Sequence, residues 1–227
     1  NHTSGQYNVA VGRKSLEDNT TGTENTAVGA FSIRDNSTGS SNTALGASAL
    51  DANTTASNNT AVGKSALAVN TTGTENTAVG SLALDANTTG NYNSAFGYQS
   101  ATGITTGTQN TALGYYTLVA NTTGLNNTAV GAQALAANTT ANNNSALGMQ
   151  SLLSNTTGTL NTALGTEALK NNSTANNNVA VGYASMFDNT TGASNVAVGT
   201  SALENNTTAD NNVAVGYQSL LQNTTGT

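Results

Sequence analysis

The glycine that closes the phrase Asn8-Val9-Ala10-Val11-Gly12 returns every 17 residues along the whole chain. No insertion or deletion interrupts this interval, and positions are counted below from the glycine as position 0. A strict period of this length is typical of a solenoid, in which each coil stacks on the one before it. The thirteen glycines are Gly12, Gly29, Gly46, Gly63, Gly80, Gly97, Gly114, Gly131, Gly148, Gly165, Gly182, Gly199 and Gly216.

We therefore predict an all-β or β-rich repeat protein, a β-roll-like parallel β-solenoid with 17-residue coils. It would form one elongated body over residues 1–227 with about thirteen repeats. Both ends of the sequence lie within a repeat, so we expect the chain to be a segment of something longer.

The consensus phrase Asn-Thr-Ala-Val-Gly alternates as a strand does, which places one strand in each coil. The residues after the glycine, as in 165–170, fit a short helical turn or a second short strand, and the sequence leaves both open. Asn-Thr-Thr-Gly then predicts a turn. Its glycine is replaced by Ala at Ala56, Ala141, Ala175 and Ala209, which indicates that small size matters there rather than a positive φ.

The two faces of the strand differ in how much they vary. Position −1 is always apolar and position −3 is Thr, Ser or Val. Alternate strand residues share a face, so we predict that −3 and −1 form the core. Asn at −4, Ala at −2 and Gly at 0 never change. This constancy indicates a backbone in close approach, so we expect that face to meet the next coil and a neighbouring chain.

Identical Asn side chains on stacked coils can also hydrogen-bond to one another as a ladder. The residues expected to carry the ladder and the packing are Asn25, Ala27, Val28, Gly29, Asn76, Ala78, Val79, Gly80, Asn127, Ala129, Val130 and Gly131.

One repeat departs from the consensus. After Gly97, Ala101 stands where Leu is expected and Ile104 where Asn is expected. Neutral drift explains this, and a local bend or contact point is the functional alternative.

Composition argues against catalysis and against nucleic acid. Five Lys or Arg against eleven Asp or Glu give a net charge of −6 with no basic stripe. His2 is the only histidine, cysteine is absent, and the carboxylates fall in variable positions. We expect no enzyme activity, no cofactor, no metal site and no membrane span.

Three surface functions remain as alternatives. Asn-Thr-Thr fits the N-glycosylation acceptor pattern, although turn chemistry alone also selects it. Thr columns are found in ice-binding solenoids, but a strand Thr facing the core would not reach ice. Tyr at position +1 can stack on sugars, and the alternative is that these residues are aromatic side chains scattered over the surface. The residues concerned are Asn19, Asn53, Asn121, Asn155 and Asn189 for glycosylation, and Tyr98, Tyr115, Tyr183 and Tyr217 for sugar.

The repeated Asn-x-Ala-Val-Gly, as in residues 178–182, resembles the head repeats of trimeric autotransporter adhesins. The longer phrase through Asn-Thr-Thr-Gly is similar to repeats of phage tail-fibre-like proteins. Adhesin heads are left-handed parallel β-rolls assembled as homotrimers, with a repeat shorter than this one. The resemblance implies a structural or adhesive rod of an extracellular, cell-surface or virion fibre. Its partners would be copies of itself, a host surface or carbohydrate. The alternative is a solenoid that binds ice or carbohydrate.

Overall fold

The computed structural model describes residues 4–226, and their contacts divide the chain into two compact units, Asn1–Asn110 and Thr111–Thr227. Every strand has three residues and lies at positions −3 to −1 of a repeat. The strands are β1 (Val9–Val11), β2 (Thr26–Val28), β3 (Thr43–Leu45), β4 (Thr60–Val62), β5 (Thr77–Val79), β6 (Ser94–Phe96), β7 (Thr111–Leu113), β8 (Thr128–Val130), β9 (Ser145–Leu147), β10 (Thr162–Leu164), β11 (Val179–Val181), β12 (Val196–Val198) and β13 (Val213–Val215).

Each unit is a stack of parallel strands in chain order. In the first unit β1 to β6 pair in sequence, with Ala10 opposite Ala27 and the same register at each later step. In the second unit β7 to β13 pair in the same way. The prediction of a parallel β-solenoid with 17-residue coils is confirmed.

The segment after the glycine contains neither of the structures left open by the sequence. Residues +1 to +6 form consecutive turns, and the described residues include no helix and no second strand per coil. In the coil of Gly80, the Ala83 N–H donates to the Gly80 carbonyl at 3.3 Å and the Asn87 N–H to the Leu84 carbonyl at 3.1 Å. Leu82 and Leu84 have φ values of 61° and 51°. These left-handed residues bend the chain too sharply for regular structure to propagate.

The core lies on the opposite face of the strand from the one predicted. Ala27 and Ala78 at −2 are fully buried, whereas Leu45 at −1 is 50% exposed. The prediction that −3 and −1 form the core is therefore wrong. A 17-residue coil encloses so narrow a space that close packing admits Ala, Asn and one Leu-sized side chain per coil. The large buried residues are at +4: Leu16, Ile33, Leu50, Leu67, Leu84, Leu118, Leu135, Leu152, Leu169, Met186 and Leu203, with Ile104 at +7 in the departing repeat.

The repeating glycine is required on two grounds. Gly80 has a φ of 140°, and a Cβ there would overlap the carbonyl of Gly97 in the next coil. The close approach predicted from the sequence is confirmed, but the approaching backbone belongs to the same chain. The glycine after Thr-Thr has no positive φ, as at Gly73, and Ala56 takes the equivalent place in another coil. That prediction is also confirmed.

Candidate functional site

Two ladders of buried asparagine run through the interior. At position −4, the Asn25 Oδ1 accepts the Asn42 backbone N–H at 3.0 Å, and the Asn25 Nδ2 donates to the Gly39 carbonyl at 2.8 Å. At +7, the Asn36 Nδ2 donates to the Asn19 Oδ1 at 2.7 Å. The Asn ladder predicted from the sequence is present. It lies inside the coils, where each Asn side chain forms hydrogen bonds to the adjacent coil.

The other predicted packing residues follow the same arrangement. Asn76 and Asn127 are fully buried and donate to the carbonyls of Gly90 and Ala141, each at 2.8 Å. Ala129 is fully buried, whereas Val79 and Val130 are half-buried on the outer face. Gly29 and Gly131 face the backbone of the next coil, as Gly80 does. The constant residues thus explain the coil stacking, and they no longer supply evidence for a partner chain.

The possible glycosylation sites are the rungs of the +7 ladder. Asn53 is fully buried, and its Nδ2 donates to the Asn36 Oδ1 at 2.8 Å and to the Ala56 carbonyl at 3.0 Å. A sugar must attach to that nitrogen, so the folded chain offers no acceptor there. The other four predicted sites are equally buried: Asn19, Asn121, Asn155 and Asn189. Their constancy comes from the ladder.

The exposed surface of the sheet is the most extensive uniform feature of the described residues. It carries Thr, Ser or Val at −3 and Val, Leu or Phe at −1 in every coil. Position −1 is 47% exposed at Leu113 and 39% exposed at Phe96. We call these two columns, bordered by positions −5 and +1, the sheet face. A large exposed apolar patch in a soluble protein usually marks an interaction surface.

The strand threonines belong to this face. Thr43 and Thr162 are exposed rather than turned into the core, which corrects the sequence-based orientation. The two threonines of each Asn-Thr-Thr turn differ in their contacts. The Thr71 hydroxyl donates to the Thr88 carbonyl in the next coil at 3.1 Å, whereas Thr72 is exposed.

The aromatic residues at +1 border the sheet face. Tyr98, Tyr115, Tyr183 and Tyr217 are between 46% and 74% exposed. Tyr115 packs against Tyr116 with ring centroids 4.2 Å apart. They widen the apolar surface on one side and add hydroxyl groups to its margin.

A small charged cluster lies outside the sheet face. The Arg34 Nε lies 2.7 Å from the Asp35 Oδ1 and 3.2 Å from the Asp51 Oδ1. The Asp51 Oδ1 is buried and accepts no hydrogen bond. Burial raises the pKa of Asp51, and the nearby Arg34 offsets only part of that rise. Arg34 thus holds two carboxylates, Asp35 and Asp51, in a local charged contact at the surface.

The departing repeat interrupts the +7 ladder. Ile104 has no amide, and the Asn87 Oδ1 one coil earlier is buried with no hydrogen-bond donor. Ile104 and Ala101 are both buried, so the repeat exchanges the usual Leu and Asn for Ala and Ile. The sequence identified the deviation, and the structure shows which oxygen loses its partner.

Little else in the described residues suggests chemistry. Between residues 4 and 226 no pocket opens, and no group of three or more His, Asp or Glu side chains is placed to hold a metal ion. His2 lies outside that range. No described segment forms a helix that is long and apolar enough to cross a membrane. The sheet face is the candidate site among the described residues.

Comparison with known proteins adds no relative. The chain matches no protein-family model, no curated protein and no solved structure.

Sequence reasoning missed the sheet face because it assigned the Val column to the core. A signal was available: Ala at −2 and Asn at −4 and +7 tolerate almost no change, whereas −1 accepts Val, Leu and Phe. Constancy of small residues is what a narrow, closed interior requires.

Proposed function

We propose that this chain is a non-catalytic structural or adhesive element of an extracellular, cell-surface or virion fibre, and that it works as a homotrimer. The observation that carries the proposal is the apolar sheet face, whose −1 side chain is exposed or half-buried in every coil of each unit. The resemblance of the repeats to trimeric adhesin heads and tail-fibre-like proteins gives the class of assembly.

The size of the face supports self-association. Positions −5 to +1 span at most about 20 Å, and six coils stacked at about 4.8 Å give the first unit a face of up to roughly 600 Å². The seven coils of the second unit, taken by themselves, give up to roughly 700 Å² by the same spacing. Specific protein interfaces bury about 600–1,000 Å² on each partner, and the face of either unit alone falls within that range.

The interior also suits a load-bearing role. Within each unit, backbone and side-chain hydrogen bonds join neighbouring coils at the strand, the turns and the asparagine ladders, apart from the interruption of the +7 ladder at Ile104. Such nearest-neighbour bonding makes a repeat stack stiff without a wide core. Adhesion to a host surface or carbohydrate would use surfaces left exposed after assembly.

Light scattering on the purified chain tests the assembly. We expect a mass three times that of the single chain at micromolar concentration. The triple variant Val28→Lys, Val79→Lys and Val130→Lys should be monomeric with an unchanged circular dichroism spectrum, because it places charges on the sheet face only. Thr72→Lys, outside that face, is the control. A monomeric wild-type chain would refute the proposal.

Ice binding is a second candidate, favoured by one observation. Thr and apolar residues form regular columns on the sheet face, half-buried at Thr26 and Val28 and exposed at Thr43 and Leu45, in register from coil to coil. A face covered in a trimer could not meet ice, so the two functions exclude each other there. Thermal hysteresis by a monomeric chain would favour ice binding, and its absence would remove this candidate.

A further inference from the structure

The two borders of the sheet face carry opposite charge. At position +1 the charged residues are Arg13 and Lys64, and both are basic. At position −5 they are Glu24 and Glu75, and both are acidic. All four side chains are exposed, and all four belong to the first unit.

These charges are not matched with each other inside the chain. The Arg13 guanidinium lies 5.2 Å from the centre of the Phe31 ring, and the Ser41 hydroxyl donates to Glu24 at 3.2 Å. The ion pairs of residues 4–226 join other side chains.

We propose that copies of this chain pack in parallel, with the basic +1 border of one copy against the acidic −5 border of the next. This inference rests on the self-association proposed above. Arg13 would pair with Glu24 of the neighbouring copy, and Lys64 with its Glu75. In each pair the acidic partner lies eleven residues further along the sequence, so one parallel arrangement of copies brings both pairs together. Eleven residues of a 17-residue coil advance only about 3 Å along the stack, so no copy has to be displaced against the next.

An antiparallel arrangement fails on the same charges. Reversing one copy end to end across the sheet face places its +1 border against the other +1 border. Arg13 and Lys64 would then face a border with no acid, and the glutamates would face one another's border. Like charges across an interface oppose association, and complementary ones select orientation.

The charges also specify the register between two copies, which the apolar columns do not. Positions −3 and −1 hold similar residues in every coil, so sliding two copies by one coil leaves the apolar packing nearly unchanged. Register is weakly specified wherever the pattern repeats in this way. Arg13 and Lys64 are three coils apart, as are Glu24 and Glu75, and only one parallel register matches both pairs.

Charge reversal tests the pairing. Glu24→Lys with Glu75→Lys should weaken assembly by about tenfold or more at low salt, and by much less at about 1 M salt, where exposed charges are screened within roughly 3 Å. Adding Arg13→Glu and Lys64→Glu to that variant should restore assembly, because the borders are again complementary. Glu204→Lys, outside the sheet face, is the control. Failure of the fourfold variant to recover would overturn the proposal.

Engineered disulfides test the orientation independently of charge, since the chain has no cysteine. Ser81 at +1 and Tyr92 at −5 have the same eleven-residue offset. The double variant Ser81→Cys with Tyr92→Cys should form covalent oligomers on oxidation. Ser81→Cys alone should form no disulfide between copies. In an antiparallel pair the two +1 borders meet, so the same single variant would then form a disulfide that joins neighbouring copies.

The results separate the two proposals. A wild-type chain that is monomeric overturns both. A wild-type oligomer whose assembly ignores the charge reversal, or whose single Ser81→Cys variant forms a disulfide-linked dimer, overturns the parallel pairing and leaves self-association intact.

Discussion

Restoring the interrupted asparagine ladder should stabilise the protein. The change is Ile104→Asn together with Ala101→Leu, which returns the departing repeat to the consensus. In the neighbouring coil the Asn87 Nδ2 donates to the Asn70 Oδ1 at 2.8 Å, and an Asn at position 104 would make the same bond to the Asn87 Oδ1. A buried oxygen without a donor costs about 1–3 kcal/mol, and that is the gain we expect.

The two changes should depend on each other. Ile104→Asn alone removes a buried side chain beside Ala101 and leaves a void, whose cost offsets the new hydrogen bond. Ala101→Leu alone forces two large side chains into one coil, which typically costs about 1–3 kcal/mol. Leu and Ile have equal volume, so the double variant avoids both penalties. A double-mutant cycle should therefore show a favourable coupling energy.

Urea unfolding followed by circular dichroism measures these differences. Protein concentration must be held constant, because association adds to apparent stability. The matched control is Leu50→Ala with Asn53→Ile, which copies the departing pattern into a consensus coil and removes the donor to the Asn36 Oδ1. It should lower the urea midpoint. A double variant of the departing repeat that is no more stable than the wild type would refute the ladder argument.

Three further predictions address the core, the glycine and the buried carboxyl. Leu67→Ala should cost about 2–5 kcal/mol because it empties the core of one coil, whereas Leu45→Ala should leave monomer stability nearly unchanged and weaken assembly, as unfolding and light scattering will show. Gly80→Ala should cost about 3 kcal/mol or more in the same unfolding assay, because both its φ of 140° and the next coil exclude a Cβ. Burial raises the pKa of Asp51 above its ordinary 3.8, so the folded chain binds that proton more tightly than the unfolded chain. Its effect on stability is favourable at low pH and is lost as the pH rises through the raised pKa. Asp51→Asn should therefore raise the urea midpoint at neutral pH and lose that advantage in acid.

The sequence predicted those parts of the fold that depend on repetition and local chemistry. The 17-residue interval determines the coil, because any other stacking would break the register of Ala27 on Ala44. The position of the strand, the asparagine ladder and the close backbone approach at Gly29 also followed from residues that never change. The oxygen left without a donor at Asn87 did not, because it depends on which way each amide donates.

The candidate site could not be predicted, because a strand of period two has two faces and the usual rule selected the wrong one. Val28 is the more hydrophobic residue and Ala27 the buried one. The left-handed residues at −5, +2 and +4, such as Glu75, Leu82 and Leu84, are not glycines and carry no local signal. Together they make a coil too narrow for Val inside.

The sequence by itself thus determined a coil of fixed length, stacked in register through Asn, Ala and Gly. Only the tertiary structure decided which side of the strand is enclosed. The reason is geometric: the width of the interior is set by how the whole coil closes, and that width admits Ala27 and Asn25 while it leaves Val28 on the surface.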